Sequence, residues 1–199
     1  MFPASSSSQV LSRSSVRHPN LLKREDSVLL IVDVQESFRS NINNFADLTR
    51  NITIMAEAAK ILKLPVVVTE QYPQGLGNIV AEISACLGEH KLFEKSCFSC
   101  CGSEQFMSYL EGTGRKQIVV TGIEAHVCIN QTAHDLLEAG EQGHRVTDAS
   151  ASRSQKNREL GIEKMLKSGA IPSSVETALF EMLVEANTET FKSVQRLVK

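Results

Sequence analysis

The sequence predicts an α/β fold, a three-layer αβα sandwich in which a mainly parallel sheet of about six strands lies between two layers of helices. Short strand-like segments alternate with segments of helical periodicity along most of the 199 residues, an order typical of β–α–β units. Three strand-like segments are built around runs of three to five consecutive apolar residues, which is the pattern of parallel strands covered on both faces. They are residues 27–33, 65–69 and 117–122.

The remaining elements follow from periodicity and turn residues, taken in chain order. In the first half we predict a helix at 44–62, a loop rich in turn formers at 70–82, a strand at 91–94 and a helix at 102–111. In the second half we predict strands at 144–147 and 170–172. We predict helices there at 127–139, 154–168, 175–185 and 188–197. Gly140 marks the end of the first of these helices.

The net charge of −2 divides unevenly along the chain. Residues 1–24 contain four basic residues and no acidic one, so residues 25–199 carry a charge of −6. We predict a Ser- and Arg-rich, disordered leader over 1–24 and one domain over 25–199; an organelle-targeting segment is the alternative interpretation of the leader. The acidic domain disfavours nucleic acid as a partner.

Membrane and compartment expectations rest on apolar runs and cysteines. The longest apolar run, 28–32, is far below the ~20 residues that span a bilayer, so no membrane partner is expected. Five cysteines, an odd number, indicate free thiols in a reducing compartment. We therefore expect a cytoplasmic protein, or a mitochondrial or other organellar one if the leader is a targeting segment.

Three residues with complementary chemistry follow three different predicted strands: Asp33, Lys95 and Cys128. Carboxyl ends of parallel strands share one edge of the sheet, where ligands bind. A thiol at a helix start is favoured as a thiolate nucleophile, a carboxylate can take its proton, and a lysine can stabilise both. Each also has a structural interpretation: Cys128 as a buried thiol, Asp33 as a helix cap and Lys95 as a solvated surface lysine.

Other cysteines and histidines favour structural roles. The spacing Cys97-x-x-Cys100-Cys101 is similar to half of a metal or redox motif, but the sequence holds no second cysteine pair and no His cluster at zinc spacing. His126 and His134 lie beside or on the helix that begins near Cys128, and we predict that they are structural.

Three segments carry a family resemblance, and a fourth narrows it. They are 32–38 (VDVQESF), 93–99 (FEKSCFS), 122–129 (GIEAHVCI) and the loop 69–77 (TEQYPQGLG). Over residues 27–199 the chain resembles the isochorismatase-like cysteine hydrolase superfamily, which includes nicotinamidases and carbamoyl amidohydrolases. The loop is similar to that of the isochorismatase domain-containing proteins. The resemblance implies a Rossmann-like topology and a homo-oligomer.

The resemblance also implies a catalytic site. Cys128, Asp33 and Lys95 would form a triad, the Ile123–Glu124 bond would be a non-proline cis peptide, and the backbone N–H groups of Glu124 and Cys128 would form an oxyanion hole. The implied reaction is hydrolysis of a small amide or related C–N substrate through a Cys thioester, with Asp33 as general acid and base. Alternatives are a catalytically weak or non-enzymatic binding or regulatory protein, and an isochorismatase-type vinyl-ether hydrolase.

One departure from the family bears on the substrate. Nicotinamidases carry an Asp-x-His metal cluster after the second strand, where this chain has Glu70-Gln71-Tyr72. We therefore predict no metal, no cofactor and a small-molecule substrate other than nicotinamide. Residues expected to bind that substrate are Gln35, Phe38, Glu70, Gln71, Tyr72 and Ala125, with the turn 75–77 beside them.

Overall fold

The computed structural model describes residues 17–199, which form one six-stranded sheet with every strand pair parallel. The strands are β1 (Ser27–Val32), β2 (Val66–Gln71), β3 (Lys91–Lys95), β4 (Gln117–Ile123), β5 (Gln142–Ala151) and β6 (Ile171–Ser173). Their order in the sheet is β3–β2–β1–β4–β5–β6. The predicted parallel α/β sheet is therefore confirmed.

Helices cover both faces of this sheet. They are α1 (Phe45–Leu62), α2 (Pro73–Leu76), α3 (Ala81–Ser84), α4 (Glu104–Thr113), α5 (Cys128–Glu138), α6 (Gln155–Lys167), α7 (Val175–Leu183) and α8 (Glu189–Gln195). Alternate residues of β1 enter two separate cores, one against α1 and α7 and the other against α4 and α5. This double burial explains why β1 is apolar at nearly every position. None of the helices in residues 17–199 is long and apolar enough to cross a membrane.

Two predicted boundaries were wrong. The predicted loop 70–82 contains the short helix α2 and the start of α3; α2 starts at Pro73, a residue whose fixed φ suits a first helical position. Strand β5 is ten residues long where four were predicted. Its polar second half hides the strand in the sequence, yet Ser150 and Ala151 still pair with the end of β4 after a register shift.

Residues 17–24, assigned to the leader, contact the domain. Leu22 is fully buried, and the Arg17 guanidinium donates to the carbonyl of Glu181 at 2.9 Å. The side-chain amide of Gln117 donates to the carbonyls of Pro19 and Leu21. The prediction of disorder or targeting for residues 1–16 falls outside the described part of the chain.

The sheet order places a crevice between β1 and β4. The chain proceeds outward from β1 through β2 and β3, then returns to β4 on the other side, and ligands bind at the carboxyl ends of strands where such an order reverses. Gly122 in β4 allows the close approach there: its φ is +111°, and a Cβ atom would lie 2.1 Å from the carbonyl oxygen of Val32.

Candidate active site

Asp33 is held at the carboxyl end of β1, with its side chain only 2% exposed. Its φ of +52° lies in the left-handed region, which Asp tolerates better than most residues. The Thr69 hydroxyl donates to Asp33 Oδ1 at 2.7 Å, and Lys95 Nζ donates to Oδ2 at 2.7 Å. A buried carboxylate is thus compensated on both oxygens.

Lys95 ends the edge strand β3 and reaches Asp33 past β2. Its Nζ also donates to Gln71 Oε1 at 2.8 Å and to the carbonyls of Phe98 (3.2 Å) and Cys97 (3.3 Å). Burial is the largest single influence and works to lower the pKa of Lys95, but the charge of Asp33, its hydrogen bond and smaller contributions from Cys100 and Cys128 together outweigh burial, and the pKa is raised. The ammonium is therefore a fixed cation in the site.

Cys128 is the first residue of α5 and is 7% exposed. Burial and, next, the negative charge of Asp33 raise the pKa of this thiol, while the positive charge of Lys95 lowers it by less. The thiolate expected from the helix start and the lysine is therefore not the resting form. A neutral thiol needs a proton acceptor before it can attack a carbonyl carbon, and the carboxylate of Asp33, whose charge acts on this thiol, is a group that can accept a proton.

Two backbone donors near the thiol have no partner. Neither the Glu124 N–H nor the Cys128 N–H donates a hydrogen bond to any atom of residues 17–199. The Ile123–Glu124 peptide bond is cis, as the resemblance implied. Free N–H groups beside a nucleophile are the groups that stabilise an oxyanion.

A cavity of about 390 Å³ brings these groups together. Its walls include Asp33 and Cys128 of the predicted triad, Glu124, and the predicted substrate-binding residues Phe38 and Gln71. Leu76, from the turn 75–77 expected beside the substrate, also lines the cavity. Sequence reasoning missed four wall residues: Phe98, Ile123, Val127 and Arg153. The first three lie in the family-like segments and could have been found there, whereas Arg153 lies just past a strand end that the sequence did not reveal.

Gln35 and Glu70, both buried, are predicted substrate-binding residues that do not line this cavity. The Gln35 amide donates to the carbonyls of Gln71 and Gly77, and its oxygen accepts from the Gln71 N–H. Glu70 Oε1 accepts from the Ile79 N–H at 2.6 Å. These contacts fix the segment after β2 in front of the site.

Tyr72 and Ala125 also lie outside the cavity wall. The Tyr72 side chain is 60% exposed and covers Gly75, where a Cβ atom would lie 2.3 Å from the ring. Ala125 is fully buried, and its N–H donates to the carbonyl of Ala151. Tyr72 and Ala125 therefore contact neighbouring residues of the protein and do not line the cavity.

Cys100, which is buried, and Cys101, which is half-buried, are neutral thiols, and His126 and His134 have hydrogen-bond partners within the protein. Burial raises the pKa of Cys100 to about 11 and that of Cys101 to about 12. His126 Nδ1 is 3.0 Å from the Ser152 hydroxyl, and His134 Nδ1 is 2.6 Å from the carbonyl of Asn130. Residues 17–199 contain no group of three His, Cys, Asp or Glu side chains that could hold a metal ion.

Solved structures with this fold include two informative neighbours. The MAR1 ribonuclease of Caenorhabditis elegans has a TM-score of 0.85 and 36% identity, covering 89% of this chain and 91% of that one. The YcaC gene product of Escherichia coli, described as an octameric hydrolase of unknown specificity, has a TM-score of 0.85 and covers 92% of this chain and 91% of that one. At 22% identity this second likeness supports the fold alone.

Sequence relatives cover nearly the whole chain. The secreted isochorismatase effector Isc1 of Phytophthora sojae is 38% identical over 190 residues, which is 94% of this chain and 90% of the relative. Isochorismatase domain-containing protein 2 of Danio rerio is 38% identical over 178 residues, 89% of each chain. The isochorismatase domain model itself matches residues 27–177. On this evidence the chain belongs to the isochorismatase family.

Proposed function

We propose that this protein is a metal-independent cysteine hydrolase that cleaves a small amide or related C–N substrate through a thioester on Cys128. The observation that carries the proposal is the placing of the Cys128 thiol and the Asp33–Lys95 ion pair at one cavity, beside two backbone N–H groups without partners. The cavity volume of about 390 Å³ suits a small molecule.

In the first half-reaction Asp33 takes the proton of Cys128 as the sulfur attacks the substrate carbonyl carbon. The C–S bond forms, and the electron pair of the C=O bond moves to the oxygen. The N–H groups of Glu124 and Cys128 stabilise this oxyanion; one such donor contributes about 3 kcal/mol. When the C–N bond breaks, Asp33 returns the proton to the leaving nitrogen, and the acyl group stays on sulfur.

In the second half-reaction Asp33 takes a proton from water, whose oxygen attacks the thioester carbon. The C–S bond then breaks, the product carboxylic acid leaves, and the proton returns to the Cys128 sulfur. Lys95 keeps its charge throughout and holds Asp33 through the 2.7 Å ion pair. Every proton that moves therefore has a named donor and acceptor in this chain or in the substrate and water.

The cavity wall supports a substrate with an apolar part. Phe38, Leu76, Phe98, Ile123 and Val127 contribute apolar surface to it. We therefore propose that the acyl portion of the substrate is small and largely apolar.

The experiment is incubation of the protein with a library of small amides, with intact-mass and peptide mass spectrometry. We expect an acyl adduct on Cys128 that is absent in Cys128→Ala and retained in the matched variant Cys86→Ala, because Cys86 is a half-buried thiol that does not line the cavity. Absence of any adduct, with unchanged cellular function in Cys128→Ala, would favour a binding or regulatory protein.

Two other reactions make different predictions. Vinyl-ether hydrolysis needs the acid alone, so Asp33→Ala would abolish it while Cys128→Ala would not. The C. elegans neighbour is called a ribonuclease; RNA cleavage that persists in Cys128→Ala and disappears on further purification would be contamination.

We also propose a homo-oligomer, following the octamer described for the E. coli YcaC neighbour. Light scattering coupled to size-exclusion chromatography tests this point, and a mass near the monomer value of 21.9 kDa would contradict it.

A further inference from the structure

Arg153 and Glu124 form an ion pair at the wall of the reaction cavity, and no step of the proposed mechanism uses it. Glu124 Oε1 accepts from both the backbone N–H (2.8 Å) and the side-chain Nε (3.0 Å) of Arg153. The Glu124 side chain is 6% exposed, whereas that of Arg153 is 59% exposed. Both residues line the cavity that holds Cys128.

The location of the buried carboxylate creates an electrostatic conflict. The backbone N–H of Glu124 is one of the two free donors proposed to bind the oxyanion. The carboxylate of the same residue therefore places its negative charge near the substrate oxygen, which becomes negative during the reaction. In a largely buried cavity such like charges repel more strongly than in water. An oxyanion site next to an uncompensated carboxylate would lose part of its stabilising effect.

We infer that Arg153 is a positioning residue that neutralises the Glu124 carboxylate and so keeps the Glu124 N–H effective as an oxyanion donor. This inference rests on the proposed hydrolase function. The Arg153 guanidinium contacts the Glu124 carboxylate, and the inferred role needs no contact between Arg153 and the reacting atoms. The hydrogen bond with Glu124 and, next, the negative charge of Glu124 raise the pKa of Arg153, so the arginine stays charged.

The two contacts of Arg153 allow its charge to be separated from its structural effect. In Arg153→Met the side-chain cation is lost, but the backbone N–H of residue 153 still donates to Glu124, which keeps the carboxylate in place. In Glu124→Gln the amide oxygen can accept the same backbone bond without carrying a charge. The two changes and their combination therefore form a double-variant cycle on the charge pair.

The probe is p-nitrophenyl acetate, an activated ester whose cleavage passes through the same tetrahedral oxyanion. We expect Arg153→Met to lower kcat about tenfold, equivalent to about 1.4 kcal/mol, with a smaller change in KM. In the Glu124→Gln background the same change should have little effect, because no carboxylate is left to oppose the oxyanion. Arg153→Lys, which keeps a cation, should recover part of the lost kcat.

Two readouts separate this role from a merely structural one. A structural loss would lower the activity of Arg153→Met and of the double variant alike, whereas the loss of a neutralising charge is relieved when Glu124 is replaced by Gln. Recovery of kcat in Arg153→Lys further shows that a cation is needed at this position.

The matched control is Lys116→Met. Lys116 is an exposed cation at 2.6 Å from the buried carboxylate of Glu141, but it precedes β4 at the amino edge of the sheet, so kcat should not change. Additive effects in the cycle, or no recovery of kcat in Arg153→Lys, would overturn the inference alone. If wild-type protein gives no Cys128-dependent acetylation, the proposed function fails and the inference fails with it.

Discussion

Replacing Lys95 by Met tests the buried ion pair that organises the site. Met keeps the length of the lysine side chain but removes its charge and its donors. Lys95 and Asp33 side chains are 1% and 2% exposed and 2.7 Å apart. The variant would therefore remove one of the two side-chain donors, Lys95 and Thr69, that this carboxylate has among residues 17–199.

The structure gives the size of the expected effect. Two unit charges 2.7 Å apart attract each other by about 6 kcal/mol at an effective dielectric constant of 20. Water entering the adjoining cavity would recover part of this, and removal of one partner of a buried pair typically costs about 3–5 kcal/mol. We expect Lys95→Met to lower the free energy of unfolding at pH 7 by about 3–5 kcal/mol.

The assay is urea denaturation followed by far-UV circular dichroism, with the slope of the transition checked for constancy. Lys192→Met is the matched control, because Lys192 pairs with Glu189 on the surface, with side chains 56% and 86% exposed; exposed pairs are worth ~0–1 kcal/mol. The double variant Asp33→Asn with Lys95→Met should recover stability, since neither charge is then left unpaired. A loss below about 1 kcal/mol in Lys95→Met would refute this reasoning.

Three further predictions concern stability and use the same denaturation assay. Burial lowers the pKa of His144 to about 4. Between pH 6.5 and 4 the unfolded chain therefore binds a proton at this residue that the native protein does not bind. The free energy of unfolding should fall by about 3 kcal/mol as the pH is lowered across this window, and by less in His144→Leu. All three guanidinium nitrogens of the buried Arg145 lack a partner among the described residues, so Arg145→Leu should raise the free energy of unfolding by about 1–4 kcal/mol. Gly122→Ala should lower the free energy of unfolding by about 1–3 kcal/mol, because the new Cβ would collide with the Val32 carbonyl.

Each of these predictions has a clear contrary outcome. An unchanged pH dependence in His144→Leu would show that another group controls acid stability. A loss of stability in Arg145→Leu would mean that the guanidinium is satisfied in solution. Gly112→Ala is the control for Gly122→Ala, because a Cβ at Gly112 meets no atom within 4 Å; equal effects at both glycines would contradict the close-approach argument.

The sequence alone determined the fold class and the strand ends that carry chemistry. Strands buried on both faces must be apolar at almost every position, so β1, β2 and β4 were visible as short apolar runs. Asp33 and Cys128 follow β1 and β4, Lys95 ends the weaker edge strand β3, and parallel strands bring those ends to one edge. The family resemblance supplied the roles of these residues, which composition and periodicity do not contain.

Only the tertiary structure decided which neighbouring side chains reach the cavity and what charge state the thiol has. The side chains of Gln35 and Glu70 form hydrogen bonds with backbone groups of the segment after β2. Arg153, which follows the half of β5 that the sequence did not predict, reaches the cavity. The helix start predicted a thiolate at Cys128, but burial and the nearby Asp33 charge raise its pKa. Burial and charge proximity arise from contacts between residues far apart in the chain, and a local sequence pattern does not encode such distances.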